Sequence, residues 1–276
     1  MEMHEPEPAD GREDGERVRE FLADLDANGF VVIKGALPPD QVEQLRAGLK
    51  GARSARWQGG VNEVGTMWFS DLLERDPERY GALVAHPNVG PLLEALAGPQ
   101  LQFRSMIAHT YPGPYTQTWH MDYYGYWDTP PQPLAVRGTA INTTFYLDDH
   151  NPDIGALEFL EKGHLTRPEG LTRDEVKGSE DNTFTQWCKS RPHVTIYPSA
   201  GDCVVFYSHL PHRGIKYAPE MERHNIVCHY QVNPFYDGVW FVSSQQPLPG
   251  SFPFGPEGTK LPSGTGGKPI TRRVHR

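Results

Sequence analysis

From Arg17 the chain reads VREFLADLDANGF. Val18, Phe21, Leu22 and Leu25 recur there at the three- and four-residue spacing of a helix face, and Asn28-Gly29 supplies its end. FVVIKGAL follows as a short β-branched strand, and Pro38-Pro39-Asp40 opens a second helix with Val42, Leu45 and Leu49 on one side. MWFSDLLERD and LVAHPNVGPLLEALAG suggest further short helices, so the chain reads as mostly helical up to about residue 98. The character then changes. LQFRSMIAHTY, VRGTAINTTFYLDD, GALEFLE, HVTIYPSAGDCVVFYS and RHNIVCHYQVNPF are strand-like, with Gly, Pro, Asn and Asp between them. Short strands in series without intervening helices predict a β-sandwich or barrel, so the expected fold is mainly β with N-terminal helices. Residues 1–14 are polar and Pro-containing and are expected to be mobile. Residues 15–245 read as one domain, and 246–276 as a Pro/Gly-rich tail ending in the basic ITRRVHR.

Two strands have unlike faces. In RHNIVCHYQV one alternate set is His224, Ile226, Cys228, Tyr230 and Val232; the other is Arg223, Asn225, Val227, His229 and Gln231. In TAINTTFYL, Asn142, Thr144 and Tyr146 oppose Ile141, Thr143, Phe145 and Leu147. A polar face ordinarily meets water. If the strands curl into a barrel, the same faces line an internal cavity instead, and buried polar groups there call for polar ligands.

Composition narrows the function classes. A chain of 276 residues holds one large core, and a formal net charge of -9 argues against nucleic acid as a partner while leaving a few arginines free to bind a small anion. Cys188, Cys203 and Cys228 form neither a disulfide framework nor a CxxC zinc signature, and Cys203 and Cys228 sit in apolar runs as small hydrophobes. The acidic start MEMHEPEPADGRED has no apolar signal region and no stretch is long enough to span a membrane. The expectation is therefore a soluble cytoplasmic protein with no membrane and no protein partner.

The chemistry begins at QTWHMDYYGYW, residues 117–127. His120 and Asp122 are two apart, so on a strand both side chains reach the same side. With 12 His and 16 Asp in the chain, about 0.7 such pairs arise by chance, so the pair alone decides nothing. GDCVVFYSHLPHRG offers a third ligand, His209 or His212. Two histidines and a carboxylate form a facial triad that binds Fe(II) and leaves adjacent positions for an organic acid and O2. Arg223, on the polar face of the next strand, suits the far carboxylate of such an acid.

Here the chain resembles the phytanoyl-CoA dioxygenase-like branch of the Fe(II)/2-oxoglutarate-dependent oxygenases. The likeness runs from DANGFVVIKGALPPDQVEQL through QTWHMD and LDDHNPDIGALEFLEKGH to GDCVVFYSHLPHRG and Arg223, ending near Pro234. It implies a double-stranded β-helix (jelly-roll, cupin-like) core, the cofactors Fe(II), 2-oxoglutarate and O2, and release of succinate and CO2. It favours His212 over His209 as the distal ligand and Arg223 for 2-oxoglutarate, with Gln117 and Thr144 as further contacts. Halogenating relatives lack the carboxylate ligand, so Asp122 points to hydroxylation. Two departures stand out: Glu161-Lys162-Gly163-His164 replaces the family's usual Pro-Gly-Ser-His at the substrate entrance, and residues 166–191 have no counterpart and read as a lid.

A small-molecule substrate is implied. Its expected wall comprises Tyr123, Tyr124, Tyr126 and Trp127, with Arg104, Arg213 and Asn225 as polar contacts; the aromatics and polar faces lean towards a ring-bearing polar metabolite. Two other readings fit the same residues. One is a cupin-type hydrolase or isomerase with Zn2+ on His120, His209 and His212; the other is a non-catalytic jelly-roll binding protein.

Overall fold

The computed structural model of the chain describes residues 11–54, 59–61, 67–69, 72–97, 101–111, 115–122, 140–166, 168–171, 182–216, 222–232, 240–243 and 270–273. Helix α1 (Gly11–Asn28) begins inside the segment expected to be mobile and stops at Gly29. That residue sits at φ 82°, and a Cβ on it would lie 2.6 Å from His164 Nδ1. Left-handed backbone and close approach both call for glycine there. Strand β1 (Phe30–Ile33) leads to α2 (Pro39–Ser54), β2 (Gly59–Val61) and β3 (Met67–Phe69). MWFSDLLERD, expected to be helical throughout, is thus split, because its first residues pair with the long strand that follows and only Leu72–Arg75 forms helix α3. Helices α4 (Pro77–Val84) and α5 (Gly90–Ala97) complete the helical part. Pro77 stands in the first turn of α4, and the Asp76 carboxylate accepts from Arg79 N as its cap.

The remaining elements are mostly strands: β4 (Leu101–Tyr111), β5 (Tyr115–Thr116), β6 (Ala140–Tyr146), β7 (Gly155–Leu160), a short α6 (Thr183–Lys189), β8 (His193–Ile196), β9 (Cys203–Tyr207), β10 (His212–Lys216) and β11 (Arg223–Val232). They form a seven-stranded antiparallel sheet, β1-β9-β6-β11-β4-β3-β2, facing a four-stranded one, β5-β10-β7-β8. This is the jelly roll that the resemblance implied. Strands β12 (Trp240–Ser243) and β13 (Ile270–Arg273), on either side of residue 246, pair with each other.

Alternation along the strands separates two cores. Ile141, Phe145, Cys203, Val205, Ile226, Cys228 and Tyr230 face the helices, where they meet Leu25, Leu45, Leu49, Tyr80, Leu83 and Leu93. Tyr230 Oη also donates to Val84 O at 2.7 Å, which anchors the end of α4 on β11. The opposite faces look into the roll. At one end Tyr146, Leu157, Phe159, Val204, Phe206 and Leu210 fill the space between the sheets, with Phe30 stacked on Phe159 at 4.4 Å. Side chains of this size contribute roughly 1.5–3 kcal/mol each on burial. The other end is polar and holds the site.

Two expectations about segments change. Residues 166–191 were read as a lid, yet Phe184 and Cys188 of α6 pack with Trp119, Met121 and Leu160 in a third apolar cluster, so that part is structural. His164 turns inward onto Gly29 and stacks near Tyr207 at 5.9 Å, with its Nε2 hydrogen-bonded to Asp26 O at 3.1 Å. The Lys162–His164 turn therefore locks to the end of α1. All three cysteines are buried and free, as expected of small hydrophobes.

Candidate metal centre

The chain after β5 keeps its pairing with β10 for one further bridge. His120 and His212 exchange both of their N–H···O bonds, at 3.1 and 2.9 Å, so the chain before β6 is stitched to the start of β10. That register puts the two imidazoles 4.3 Å apart, centroid to centroid. Asp122, two residues on, donates its N–H to Ser208 O at 2.8 Å and brings its carboxylate to the same side. One Oδ lies 3.9 Å from His120 Nε2 and the other 3.5 Å from His212 Nε2. Ligand atoms of the three side chains lie within 4.8 Å of one another, and they form the metal-competent cluster found among the described residues.

Each histidine is braced by its own backbone. His120 Nδ1 donates to Thr118 O at 2.9 Å and His212 Nδ1 to Leu210 O at 2.8 Å. With Nδ1 carrying the proton, Nε2 presents its lone pair to the centre, the tautomer that a metal requires. Burial, and then the His212 ring, push His120 down to about 4, so it is neutral at ordinary pH. Asp122 moves the other way. Loss of hydration opposes its charge, but the His212 ring beside it, followed by His120, holds it well below the usual carboxylate range. Two imidazoles and one carboxylate are the donor set of a facial Fe(II) site.

A residue missed in the sequence fixes the carboxylate. Asn142, fully buried on β6, donates its amide to Asp122 Oδ2 and accepts from Ser208 Oγ at 2.6 Å through its own Oδ1. The hydroxyl leaves the amide only one useful orientation. Asn142 lay on the polar set with Thr144; what was unreadable is that residue 122 folds back onto it.

Arg223 is 3% exposed and donates Nη1 to Ile215 O at 2.7 Å. Its Nη2 faces Gly214, where a Cβ would stand 3.1 Å from it and 3.4 Å from Gln117 Oε1. Gly214 therefore keeps a cradle open between the guanidinium and the metal cluster. Gln117 reaches both sides of that cradle: its Oε1 accepts from Gly214 N at 3.2 Å and its Nε2 meets His120 Nε2 at 3.2 Å. Beyond Arg223, the buried His150 Nε2 has no hydrogen-bond partner, and its ring is held down to about 4 by burial and then by the Arg223 charge. A guanidinium beside an orphaned imidazole nitrogen, at the rim of a glycine cradle, fits a dicarboxylate whose far end lies there. Thr144 shares the inner face of β6 with Asn142, between Val204 and Val227 in register.

Other expected residues go elsewhere. His209, the rival third ligand, stacks on Tyr207 at 5.4 Å and is pushed down to about 3 by burial and the nearby His164, outside the cluster. The Zn2+ reading thereby loses its third histidine. Arg213, expected to meet substrate, is one residue from His212 and so points to the outer face. There its Nε donates to Glu158 at 2.6 Å and its guanidinium lies 5.0 Å above the Trp119 ring. Asn225 does face inward, 3.1 Å from His109 Nδ1. Arg104 is the extra residue of a bulge in β4, between Phe103 paired with Tyr230 and Ser105 paired with His229. Its side chain, and Tyr123, Tyr124, Tyr126 and Trp127, lie outside the described residues.

Residues 25–217 match the phytanoyl-CoA dioxygenase (PhyH) family. The chain belongs to that family. Fe(II), 2-oxoglutarate and O2 are accordingly its cofactors. Solved structures with the same fold include the α-ketoglutarate-dependent epimerase SnoN from nogalamycin biosynthesis, with TM-score 0.64 and 20% identity, covering 94% of this chain and 100% of that one. HygX from Streptomyces hygroscopicus, solved with nickel and 2-oxoglutarate, gives 0.63 and 17% over 79% and 88%. The carbocyclase SnoK gives 0.61 and 19% over 78% and 83%. No curated protein matches the chain in sequence.

Proposed function

We propose that this PhyH protein oxidises an unactivated C–H bond of a small polar metabolite, with hydroxylation as the outcome. The observation that carries the reading is the convergence of His120, Asp122 and His212 beside a buried Arg223 and an open glycine cradle. When bound, Fe(II) and 2-oxoglutarate supply the oxidising power, and succinate and CO2 leave.

The protein's share is positioning. His120 and His212 would hold the metal through Nε2, and Asp122 through the oxygen not committed to Asn142. Arg223 would take the far carboxylate of 2-oxoglutarate, with Gln117 moving off His120 Nε2 to meet its near end. Phe159 and Phe206, packed against His212 at 6.1 and 4.8 Å, keep water from that side of the centre.

The presence of Asp122 supports hydroxylation, since the carboxylate fills the position a halide would need. SnoN and SnoK are described as an epimerase and a carbocyclase, so one scaffold serves several outcomes. SnoN and HygX, with nogalamycin RO and hygromycin B bound, support a place for this chain in specialised metabolism.

Anaerobic titration of Fe(II) into protein with 2-oxoglutarate tests the centre, and a visible charge-transfer band is expected. Succinate release coupled to O2 uptake, with one oxygen found in product by mass spectrometry, tests the outcome. A product lacking added oxygen would overturn hydroxylation and leave the metal centre standing.

A further inference from the structure

Arg223 opens β11, and its two flanks are not held alike. Towards β4 the ladder reaches it, with Arg223 opposite Tyr111. Towards β6 the ladder ends two residues short, at Asn225 opposite Tyr146. One rung further on, Leu147 N donates to His224 O at 3.1 Å, and a regular antiparallel pair would answer with His224 N to Leu147 O. The chain answers differently. Leu147 O accepts from Arg46 Nη2 of α2, and His224 N donates to Asp148 Oδ2 at 2.6 Å. A side chain closes the last rung before the arginine.

That carboxylate is itself well held. The same Oδ2 accepts from His224 Nδ1 at 2.9 Å, and Oδ1 lies 3.3 Å from Arg46 Nη2. His224 is buried and Asp148 half-buried. Burial opposes the charge on Asp148, but the His224 ring and N–H, and after them Arg46, hold its carboxyl below the usual carboxylate value. It therefore remains an acceptor for both His224 bonds at ordinary pH. The main chain of Asp148 takes part as well, since its carbonyl accepts from His150 Nδ1 at 3.0 Å. One residue thus holds the backbone beside Arg223 and also the imidazole on which the Arg223 charge acts.

The consequence for the arginine is one of leverage. Its tip is tied to β10, where Nη1 donates to Ile215 O at 2.7 Å and Nη2 stands over Gly214. Its root belongs to β11, so tip and root are set by different strands. The side chain is long, and a small swing at its Cα displaces a fork that must meet both oxygens of a carboxylate. Deleting the Asp148 carboxylate removes two of the bonds that hold residue 224 on the β6 side.

We propose that Asp148 is a positioning residue for the far carboxylate of the cofactor. By closing the rung at His224 it sets the root of Arg223, and with it the preference for a 2-oxo dicarboxylate over a 2-oxo monocarboxylate. The proposal rests on the assignment of Arg223 to 2-oxoglutarate made above, and Asp148 acts through His224 and Arg223.

The test uses Ni(II)-loaded protein, which does not turn over. Isothermal titration is run with 2-oxoglutarate and with 2-oxopentanoate, which has the same 2-oxo acid end and chain length but no far carboxylate. Wild type is expected to bind 2-oxoglutarate at least about thirtyfold more tightly. Asp148→Asn and His224→Ala should each weaken 2-oxoglutarate about tenfold, with Ni(II) and 2-oxopentanoate affinities within about threefold of wild type. His224→Asn, whose amide N–H can stand where the ring Nδ1 does, should recover 2-oxoglutarate binding to within about threefold. If Asp148→Asn does not fold, the two His224 variants carry the test between them. Equal loss of both acids would make Asp148 a structural residue and overturn the proposal, as would 2-oxoglutarate binding unchanged in the variants. A wild type with no preference for the dicarboxylate would sink the Arg223 assignment itself, and the proposal with it.

Discussion

The two faces of one sheet were built under different rules. On β11 the helix-facing set Ile226, Cys228 and Tyr230 is buried in the large core, whereas Asn225 and His229, each one residue away, face the roll together with Arg223. On β6 the same step separates Ile141 and Phe145 from Asn142 and Thr144. A pleat turns a displacement of one residue into a change of solvent, chemistry and purpose. Stability and function should therefore be separable by parity along these strands.

The largest expected effect breaks the apolar side. Phe145→Ala should cost about 3–5 kcal/mol in urea unfolding while the folded fraction still binds Fe(II) with 2-oxoglutarate. If metal binding is lost in proportion, the two faces are not independent. The next effect lies on the chemical side: His212→Ala or Asp122→Ala should abolish the charge-transfer band and leave the metal-free melting temperature within a few degrees. His209→Ala should spare the band, and its loss there would reverse the choice of ligand. Arg223→Ala comes third. It should raise the 2-oxoglutarate Kd by roughly 30- to 1,000-fold, equivalent to about 2–4 kcal/mol, with Fe(II) affinity nearly unchanged. Isothermal titration with each ligand separates the two.

Asn142→Ala sharpens the comparison further, because the residue is as buried as Phe145 yet belongs to the other face. Metal affinity should fall about 10- to 100-fold, beyond any change in stability. Equal losses of both would make Asn142 a packing residue.

The smallest effect is a pH slope. His150 and His209 are pushed from 6.5 to about 4 and about 3, mainly by burial. The unfolded chain then takes up protons that the folded chain refuses. Their contribution is fully present above 6.5 and is lost as pH falls towards about 4. Metal-free protein should melt progressively lower over that window, and His209→Phe, which keeps the stack on Tyr207, should flatten the fall.

The parity of β6 and β11 was legible in the sequence because period-two alternation is a local property. Motif and resemblance singled out His120, Asp122 and His212, the three side chains that converge in the structure. Strand β3 was not: three residues, Met67 to Phe69, acquire their structure from pairing with β4, which no local pattern carries. Nor was Asn142, whose role arises only when Asp122, 20 residues earlier, and Ser208, 66 later, arrive beside it. Arg213 was misassigned for an avoidable reason, since a residue next to a ligand on a strand faces away from it.

The brace on each metal-binding imidazole has a consequence for how such a protein changes over time. Both rings are steadied by a carbonyl two residues earlier in their own segment, Thr118 for His120 and Leu210 for His212. Aim is thus encoded within a tripeptide and a single backbone bridge, with no side chain from a distant element required. Walls and rims that leave Asn142 in place can then be rewritten by mutation without turning either ring. Two short segments, each carrying its own brace, are all that such a pair of rings asks of a scaffold whose remaining sequence is free to drift.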